Sequence, residues 1–220
     1  MLLIKDIFTI KEIPHLSWSS HKPLNTKPKI LTFIYLMFGL ILFGLGEAIL
    51  ITSSQGVSPW TVLSQGVSFR FNFTIGMSNF IISIAVLFLW IPLKQRPGIG
   101  TIMNAIVISI ILDISLPYLP KPEQFLFQIV QSFFGVFLIG MGSGFYLIAN
   151  LGAGPRDGLN IGLSNLSKKP IFSIRMLIEF AAVIAGWYLG GVVGLGTIIF
   201  ALFVGPFVSF GLVIVKHFLK

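Results

Sequence analysis

Six long apolar segments constrain this chain more than any other feature. A helix needs about 20 apolar residues to cross a hydrocarbon core about 30 Å thick. Only 10% of the residues are charged, whereas a soluble domain carries about 25%, so a soluble protein is excluded. The chain is therefore predicted to be an all-α transmembrane protein with six spans, which are Ile30–Thr52, Ile75–Leu93, Ile99–Leu116, Phe125–Ala149, Ile171–Leu189 and Gly196–Val215.

The basic residues predict how these spans are oriented. With the N-terminus placed in the cytoplasm, 13 of the 15 Lys and Arg residues fall inside, and only Arg70 and Lys121 fall outside. We therefore expect both termini to be cytoplasmic and residues 1–29 to form a cytoplasmic polar tail. The net charge of +8 is explained by this topology, so nucleic acid is not an expected partner.

An internal repeat divides the apolar region into two halves. A shift of 96 positions aligns residues 38–113 with residues 134–209 without a gap and gives 19 identities in 76 pairs. Seven of the eight glycines in the first window meet a glycine, which shared apolar composition does not explain. Each copy contains three spans, and this odd number makes the second copy enter the membrane from the opposite face. The prediction is a six-helix bundle of two inverted three-helix repeats, residues 30–116 and 125–215.

Two polar interruptions occupy equivalent positions of the repeat. The first contains Gly56 and Pro59, and the second contains Gly152, Gly154 and Pro155. Because proline suits the first turn of a helix, short helices are predicted over residues 59–68 and 155–164. They are either re-entrant half-helices whose N-termini attract an anionic or polar group at a central site, or amphipathic helices that lie at the two interfaces.

The glycines of these interruptions are expected to adopt backbone conformations that side chains oppose. This expectation applies to Gly56 and Gly152, which align with each other. Gly76 has no glycine counterpart in the repeat. We therefore expect a valine at position 152 to impair folding or function more than a valine at position 76.

Charged residues in or beside the apolar segments are candidates for substrate binding or gating, because a mid-bilayer charge costs about 2.5–3.5 kcal/mol. Glu47 is either a proton or cation site or a partly hydrated carboxylate near the outer interface. Asp113 is better explained as a carboxylate at an interfacial helix end. The other candidates form one cytoplasmic cluster, in which a structural Arg175–Glu179 pair and a gate are equally open alternatives, and its members are Arg156, Asp157, Arg175 and Glu179.

Three tryptophans, Trp60, Trp90 and Trp187, lie near predicted span ends and are expected in the aromatic belts of the membrane. The predicted spans contain no His, and the chain has no Cys. An enzyme is therefore not expected, and neither a metal nor a cofactor is predicted.

The motifs of both halves resemble the YczE-type bacterial membrane proteins, which are related to the YitT group. In the second half they are residues 151–159 (LGAGPRDGL), the Ile174-Arg175 pair with Glu179, and residues 194–197 (GLGT). In the first half they include residues 90–93 (WIPL) and 96–101 (RPGIGT). The resemblance covers about residues 38–212. It implies an integral protein of the bacterial inner (plasma) membrane and implies no established activity or substrate.

The function predicted from these features is that of a small permease or channel for an unknown solute. The inverted repeat and the paired interruptions favour it, since both are common in transporters. The alternative is a non-transporting membrane scaffold or a regulatory partner of another membrane complex. The expected partners are the lipid bilayer and a small solute, and a homo-oligomer remains an open alternative.

Overall fold

A computed structural model describes residues 13–219 of the chain. The all-α prediction is confirmed for these residues, which contain no strand. The two short helices begin at Pro59 and Pro155 as predicted, and each ends three residues later than predicted. The eight helices of the described range are α1 (Ile30–Thr52), α2 (Pro59–Phe71), α3 (Ile75–Trp90), α4 (Ile99–Ser115), α5 (Phe125–Ala149), α6 (Pro155–Ser167), α7 (Ile171–Tyr188) and α8 (Leu195–Phe218).

Four of these helices are long and apolar enough to cross a membrane, namely α1, α5, α7 and α8. A fifth crossing results if α2 and α3, which meet at a bend of 112°, form one broken span. Helices α3 and α4 have 16 and 17 residues, so each is only about 24–26 Å long. Helix α3 ends at Trp90, just before Pro92, and is therefore shorter than the predicted span. The chain thus has several membrane-spanning helices, and the number six stays a prediction.

The helices form two groups that pack mainly within themselves. Helices α1, α4, α5 and α8 form the core group, in which α1 lies against α5, α4 against α1, and α8 against α5. Helices α2, α3, α6 and α7 form the hairpin group, which has its own apolar cluster that includes Trp60, Trp90 and Leu159. Because each group buries its own apolar surface, the two groups are separate packing units that meet across a shared interface.

The 96-residue offset of the sequence recurs in the contacts of the structure. Helices α2, α3 and α4 begin exactly 96 residues before α6, α7 and α8. A Cβ atom at Gly39 would lie 2.7 Å from the carbonyl oxygen of Gly142, and one at Gly135 would lie 2.8 Å from that of Gly46. Gly39 and Gly46 of α1 align with Gly135 and Gly142 of α5 at this offset, so each contact is the counterpart of the other. The two halves therefore approach each other twice in the same way along α1 and α5.

Each interrupted segment lies against the first turn of a helix from the other half. The amide of Gly196 donates to the carbonyl oxygen of Gln55 at 2.6 Å, and the amide of Gly100 donates to that of Leu151 at 2.7 Å. Gly56 and Gly152 have φ values of +98° and +114°, as expected for positions that disfavour side chains. The interruptions are therefore buried joints between the halves.

The expectation that Gly76 is the more tolerant position lacks support in the packing. A Cβ atom there would lie 2.1 Å from the carbonyl oxygen of Ser109 and 2.6 Å from the carboxyl carbon of Asp113. Gly205 is the glycine with open space, because no atom lies within 4 Å of its ideal Cβ position. Gly205 is therefore the appropriate tolerant control for measurements of stability.

The described part of the N-terminal segment, residues 13–29, packs against the core group. Trp18 is 3% exposed, and its Nε1 donates to the carbonyl oxygen of Leu219 at 2.8 Å. The amide of Ser20 donates to the carbonyl oxygen of Ala149, and Asn150 Nδ2 donates to that of Ser20. The predicted polar tail is thus an ordered cover over one end of α1, α5 and α8 in this range, and residues 1–12 lie outside the described residues.

Candidate functional site

A cavity of about 300 Å³ lies between the core group and the hairpin group, and all eight helices contribute to its lining. Five of the six charged candidates from the sequence line it, namely Glu47, Arg156, Asp157, Arg175 and Glu179. Asp113 is outside the lining. Of the interruption residues, Pro59 and Gly154 line the cavity, whereas Gly56, Gly152 and Pro155 are not part of its lining.

The lining follows the internal repeat. Sixteen of its 22 residues form eight pairs whose numbers differ by 96. The shape of the cavity is thus contributed by both halves, but its chemistry is not, because the second half supplies four of the five charged residues. The pairs are Phe43 with Ile139, Glu47 with Ser143, Ser58 with Gly154, Trp60 with Arg156, Asn79 with Arg175, Ser83 with Glu179, Asn104 with Phe200, and Ile108 with Val204.

The N-termini of α2 and α6 meet at this cavity. The guanidinium carbon of Arg156 lies 5.2 Å from the centroid of the Trp60 ring, and these two residues are equivalent in the repeat. The first turn of α2 is buried, and the first turn of α6 is half-buried at Arg156 and Asp157 and buried on either side of them. The C-terminal ends of both helices are exposed, as at Phe69 and Leu166. The N-terminus of each helix therefore lies inside the protein, and its C-terminus lies at the surface. Pro59 and Pro155 are tolerated at these N-termini because an N–H group in the first turn has no partner within the helix.

Glu47 lies in a complete hydrogen-bonded site on α1. It is 1% exposed, so it is not the partly hydrated interfacial carboxylate that was one alternative. The hydroxyl groups of Ser58 and Thr61 donate to its two oxygens, each at 2.8 Å. Ser58 is the N-cap residue of α2, and Glu47 therefore places its negative charge at the positive end of that helix.

Arg156 and Asp157 occupy the first turn of α6. The Nη2 atom of Arg156 donates to Asn79 Oδ1 at 2.6 Å, and within the described range no carboxylate lies within 4.0 Å of the guanidinium group. Asp157 accepts a hydrogen bond from the hydroxyl of Tyr146 at 2.5 Å. The guanidinium group thus faces the cavity with most of its five N–H donors available.

Arg175 and Glu179 form the predicted pair on one face of α7. Arg175 Nε lies 2.8 Å from Glu179 Oε1. Their side chains are 50% and 22% exposed, so the pair is not deeply buried. No ion pair or hydrogen bond joins these two residues to Arg156 or Asp157, so the four charged residues share the lining of one cavity without forming a direct ion-pair network.

Asp113 has a different role in the packing. One carboxylate oxygen accepts from the hydroxyl of Thr74 at 2.5 Å, and the other accepts from the amide of Gly76 at 2.7 Å. Thr74 is the N-cap residue of α3. Asp113 on α4 therefore ties α4 to the N-terminus of α3, where a negative charge is favourable.

Of the two sides of the cavity that are equivalent in the repeat, only one is closed by helix packing. Helix α3 packs along α4, and Asn79 Nδ2 donates to Ser109 Oγ at 2.9 Å. The equivalent helices of the second half, α7 and α8, barely touch. Arg175 is half exposed at the position where the first half has the buried Asn79. The cavity is thus closed between α3 and α4 and open between α7 and α8.

Several lining residues were missed at the sequence level. Trp60 and Trp90 are buried, so their predicted place in the aromatic belts is wrong, whereas the exposed Trp187 is compatible with a belt. Trp90 Nε1 donates to the carbonyl oxygen of Pro155 and so fixes the start of α6. The repeat held the signal for Trp60 and Asn79, because they align with Arg156 and Arg175.

Residues 13–219 contain no group of three His, Asp or Glu residues spaced to hold a metal ion.

Comparison with known proteins gives relatives of similar length. The family described as "Family of unknown function (DUF6198)" matches residues 30–212. An "Uncharacterized protein" of Haemophilus influenzae is 40% identical over 208 residues, which are 94% of each chain. The "Uncharacterized membrane protein YczE" of Bacillus subtilis is 30% identical over 83% of this chain and 86% of its own. The "Uncharacterized protein YyaS" of Bacillus subtilis is 26% identical over 86% of this chain and 96% of its own. No solved structure matches the chain.

Proposed function

Because the chain belongs to the family of unknown function DUF6198, and its predicted resemblance to YczE-type membrane proteins is confirmed, its activity has to be inferred from its own site. We propose that this multi-pass membrane protein is a small permease that moves a polar solute through the central cavity. The observation that carries the proposal is the cavity itself, which both halves line in equivalent positions and which is packed shut between α3 and α4 but not between α7 and α8.

The proposal includes six spans arranged as two inverted repeats. Helices α3 and α4 serve as short spans, and α2 and α6 are re-entrant half-helices. The first turns, which are buried in α2 and largely buried in α6, the exposed C-terminal ends and the 112° bend between α2 and α3 support this arrangement. Irregular backbone at membrane depth is tolerated where it lines a cavity within the protein.

The basic-residue bias then assigns the two sides of the cavity. Under the proposed topology, the N-terminus of α3 and the C-terminus of α4 are on the outside, and the N-terminus of α7 and the C-terminus of α8 are on the inside. Under this proposal, the open side between α7 and α8 faces the cytoplasm, as in an inward-open transporter. Transport requires the hairpin group to rock against the core group so that α7 closes on α8 while α3 leaves α4.

Cysteine labelling tests this proposal without knowledge of the solute, because the native chain has no cysteine. Ser143→Cys places a thiol in the cavity lining, and Ser64→Cys places one at a buried position outside the lining. We expect a small, membrane-impermeant thiol reagent to modify position 143 from either face of the membrane and to leave position 64 unmodified. Modification from neither face, or from one face only, contradicts a permease and favours a scaffold.

A further inference from the structure

The cavity contains a cationic donor group whose hydrogen-bonding capacity is largely unused. The Arg156 guanidinium group donates to Asn79 and stacks over Trp60, which fixes its plane. A guanidinium group presents its donors in a fork that matches the two oxygens of a carboxylate. The first chemical group that the lining can recognise is therefore a carboxylate.

The cavity also contains an acceptor without a donor. Asn160 is 6% exposed and lines the cavity, and its Oδ1 atom accepts no hydrogen bond from residues 13–219. A buried acceptor that stays unsatisfied costs about 1–3 kcal/mol. An N–H group of a solute bound in the cavity would satisfy it.

These two groups lie close together. Arg156 and Asn160 are four residues apart on α6, and such residues share one helix face with Cβ atoms about 5–6 Å apart. A donor fork and an orphan acceptor at this spacing match a compact solute that carries a carboxylate and an adjacent N–H group. The volume of about 300 Å³ is at the lower limit for ligand sites and restricts the solute to a small molecule.

The charges of the lining decide between an anion and a zwitterion. Three carboxylates, on Glu47, Asp157 and Glu179, face two guanidinium groups, so the formal charge of the lining is −1. The N-termini of α2 and α6 already have the carboxylates of Glu47 and Asp157 beside them. A solute with a net negative charge would add to this excess, whereas a zwitterion would not.

From this arrangement we propose that the cavity binds a small zwitterion with a carboxylate and an adjacent protonated amine, the chemistry of an α-amino acid. Arg156 binds the carboxylate, and Asn160 accepts from the amine. The inference rests on the proposed transport function, since it names the solute class of the same cavity.

Binding is tested with three matched pools of solutes. The first contains small L-α-amino acids such as alanine, the second contains the acids without the amine, such as propionate, and the third contains the amines without the carboxylate, such as ethylamine. Each pool is added to the purified full-length protein in detergent, and thermal unfolding is measured. We expect only the amino-acid pool to raise the midpoint.

Variants connect the shift to the two residues. Arg156→Gln should weaken binding about tenfold or more, because it removes a charge-assisted hydrogen bond. Arg156→Lys keeps the charge without the fork and should bind with intermediate affinity, which covers the case in which Arg156→Gln does not fold. Asn160→Leu should reduce the preference for the amino acid over the acid. Arg70→Gln, at an exposed arginine outside the lining, is the control and should bind normally.

The same solutes are then followed in liposomes that contain the protein. Binding of the amino-acid pool without flux supports the zwitterion site and contradicts transport. Flux of the acids or amines in preference to amino acids supports transport and overturns the zwitterion assignment. If no pool shifts the unfolding midpoint, or if Arg156→Gln and Arg156→Lys bind amino acids as well as the native protein does, the assignment is also overturned.

Discussion

The first half of the repeat packs α3 along α4, whereas the second half leaves α7 almost free of α8. On the closed side, Asn79 is 3% exposed and bonds to Ser109. On the open side, the side chain of Arg175 is 50% exposed, and the position of Ser109 is taken by Gly205, which has open space around it. One architecture thus occurs in two packing states. The surface of α8 around Gly205 is equivalent to the surface of α4 that α3 covers; it is called the docking position below, and α7 leaves it uncovered.

The sizes of the contacting residues are reversed between the two sides: the smaller residue is on α3 on the closed side and on α8 on the open side. On the closed side, Gly76 of α3 contacts Ser109 of α4. The 96-residue offset puts Phe172 of α7 and Gly205 of α8 in the same positions, and Phe172 is 71% exposed. A glycine on α8 therefore leaves room for the aromatic side chain on α7 when the open side closes.

The largest effect is expected from a side chain placed inside the closed contact. Gly76→Val would put Cβ 2.1 Å from a backbone carbonyl of α4, which cannot move without the helix. We expect a loss of about 3 kcal/mol in the free energy of unfolding, at the upper end for overpacking. Thermal unfolding in detergent measures it, and equal stability of Gly76→Val and the native protein would show that α3 does not pack on α4 as described.

A smaller loss is expected when the tie between α4 and α3 is removed. Asp113→Ala deletes the acceptor for Thr74 and Gly76. We expect a loss of about 1.5 kcal/mol, the low end for hydrogen bonds to a charged group, because the bond to Thr74 is exposed. Labelling of Ser143→Cys from the outside should become faster in the same variant.

The control for this change is the equivalent residue on the open side. Ser209→Ala should alter neither stability nor the rate of outside labelling, because α7 does not contact α8 there. If Ser209→Ala and Asp113→Ala behave alike, Asp113 is not a specific tie of the closed side.

The Arg175–Glu179 pair on the open side should contribute little to stability. Because these side chains are 50% and 22% exposed, each single change, Arg175→Leu or Glu179→Leu, should cost at most about 1 kcal/mol. The double change should be no less stable than either single one. A loss of several kcal/mol in a single variant that the double variant recovers would indicate a buried structural pair instead.

The smallest effect on stability, and an informative one, is expected at the unused docking position. Gly205→Val should leave the unfolding midpoint nearly unchanged, because no atom lies within 4 Å of the added Cβ. It should nevertheless hinder α7 from closing, and labelling of Ser143→Cys from the outside should decrease. Unchanged labelling from both faces would show that α7 does not dock at Gly205.

Much of this fold is encoded in local sequence signals. The apolar runs predicted the long helices, and the prolines at positions 59 and 155 marked the short ones, because proline is favoured in a first helical turn. The paired glycines at positions 56 and 152 predicted the unusual backbone of the interruptions, but not that the interruptions are joints between the halves. The length of α3 was less predictable, because apolar residues continue past Trp90, where the helix ends just before Pro92.

The candidate site was predictable in its charges and not in its partners. The cost of a charge within a span pointed to Glu47. Arg156 was a candidate because it belongs to the predicted cytoplasmic cluster of charges. That Trp60 lies beside Arg156, and that Asn160 lacks a donor, depends on how the two groups of helices approach, which no local pattern records. The difference between the two sides was equally hidden, since the repeat predicts equal packing and the structure has α7 apart from α8.

The most direct measurement is a cross-link between α7 and α8 in the native membrane. Phe172→Cys and Gly205→Cys are introduced together into the cysteine-free chain, and disulfide formation under mild oxidation is detected by the loss of thiols that a maleimide reagent can modify. If α7 docks on α8 as α3 docks on α4, the Cα atoms of the two cysteines come within the separation of about 4.4–6.8 Å that a disulfide requires, and the bond forms. A control pair, Phe172→Cys with Phe207→Cys, should form it much more slowly, because position 207 lies on the face of α8 that packs against Gly140 of α5. Two thiols that stay free under oxidation, or equal rates for the two pairs, would contradict the account that the open side of this protein closes.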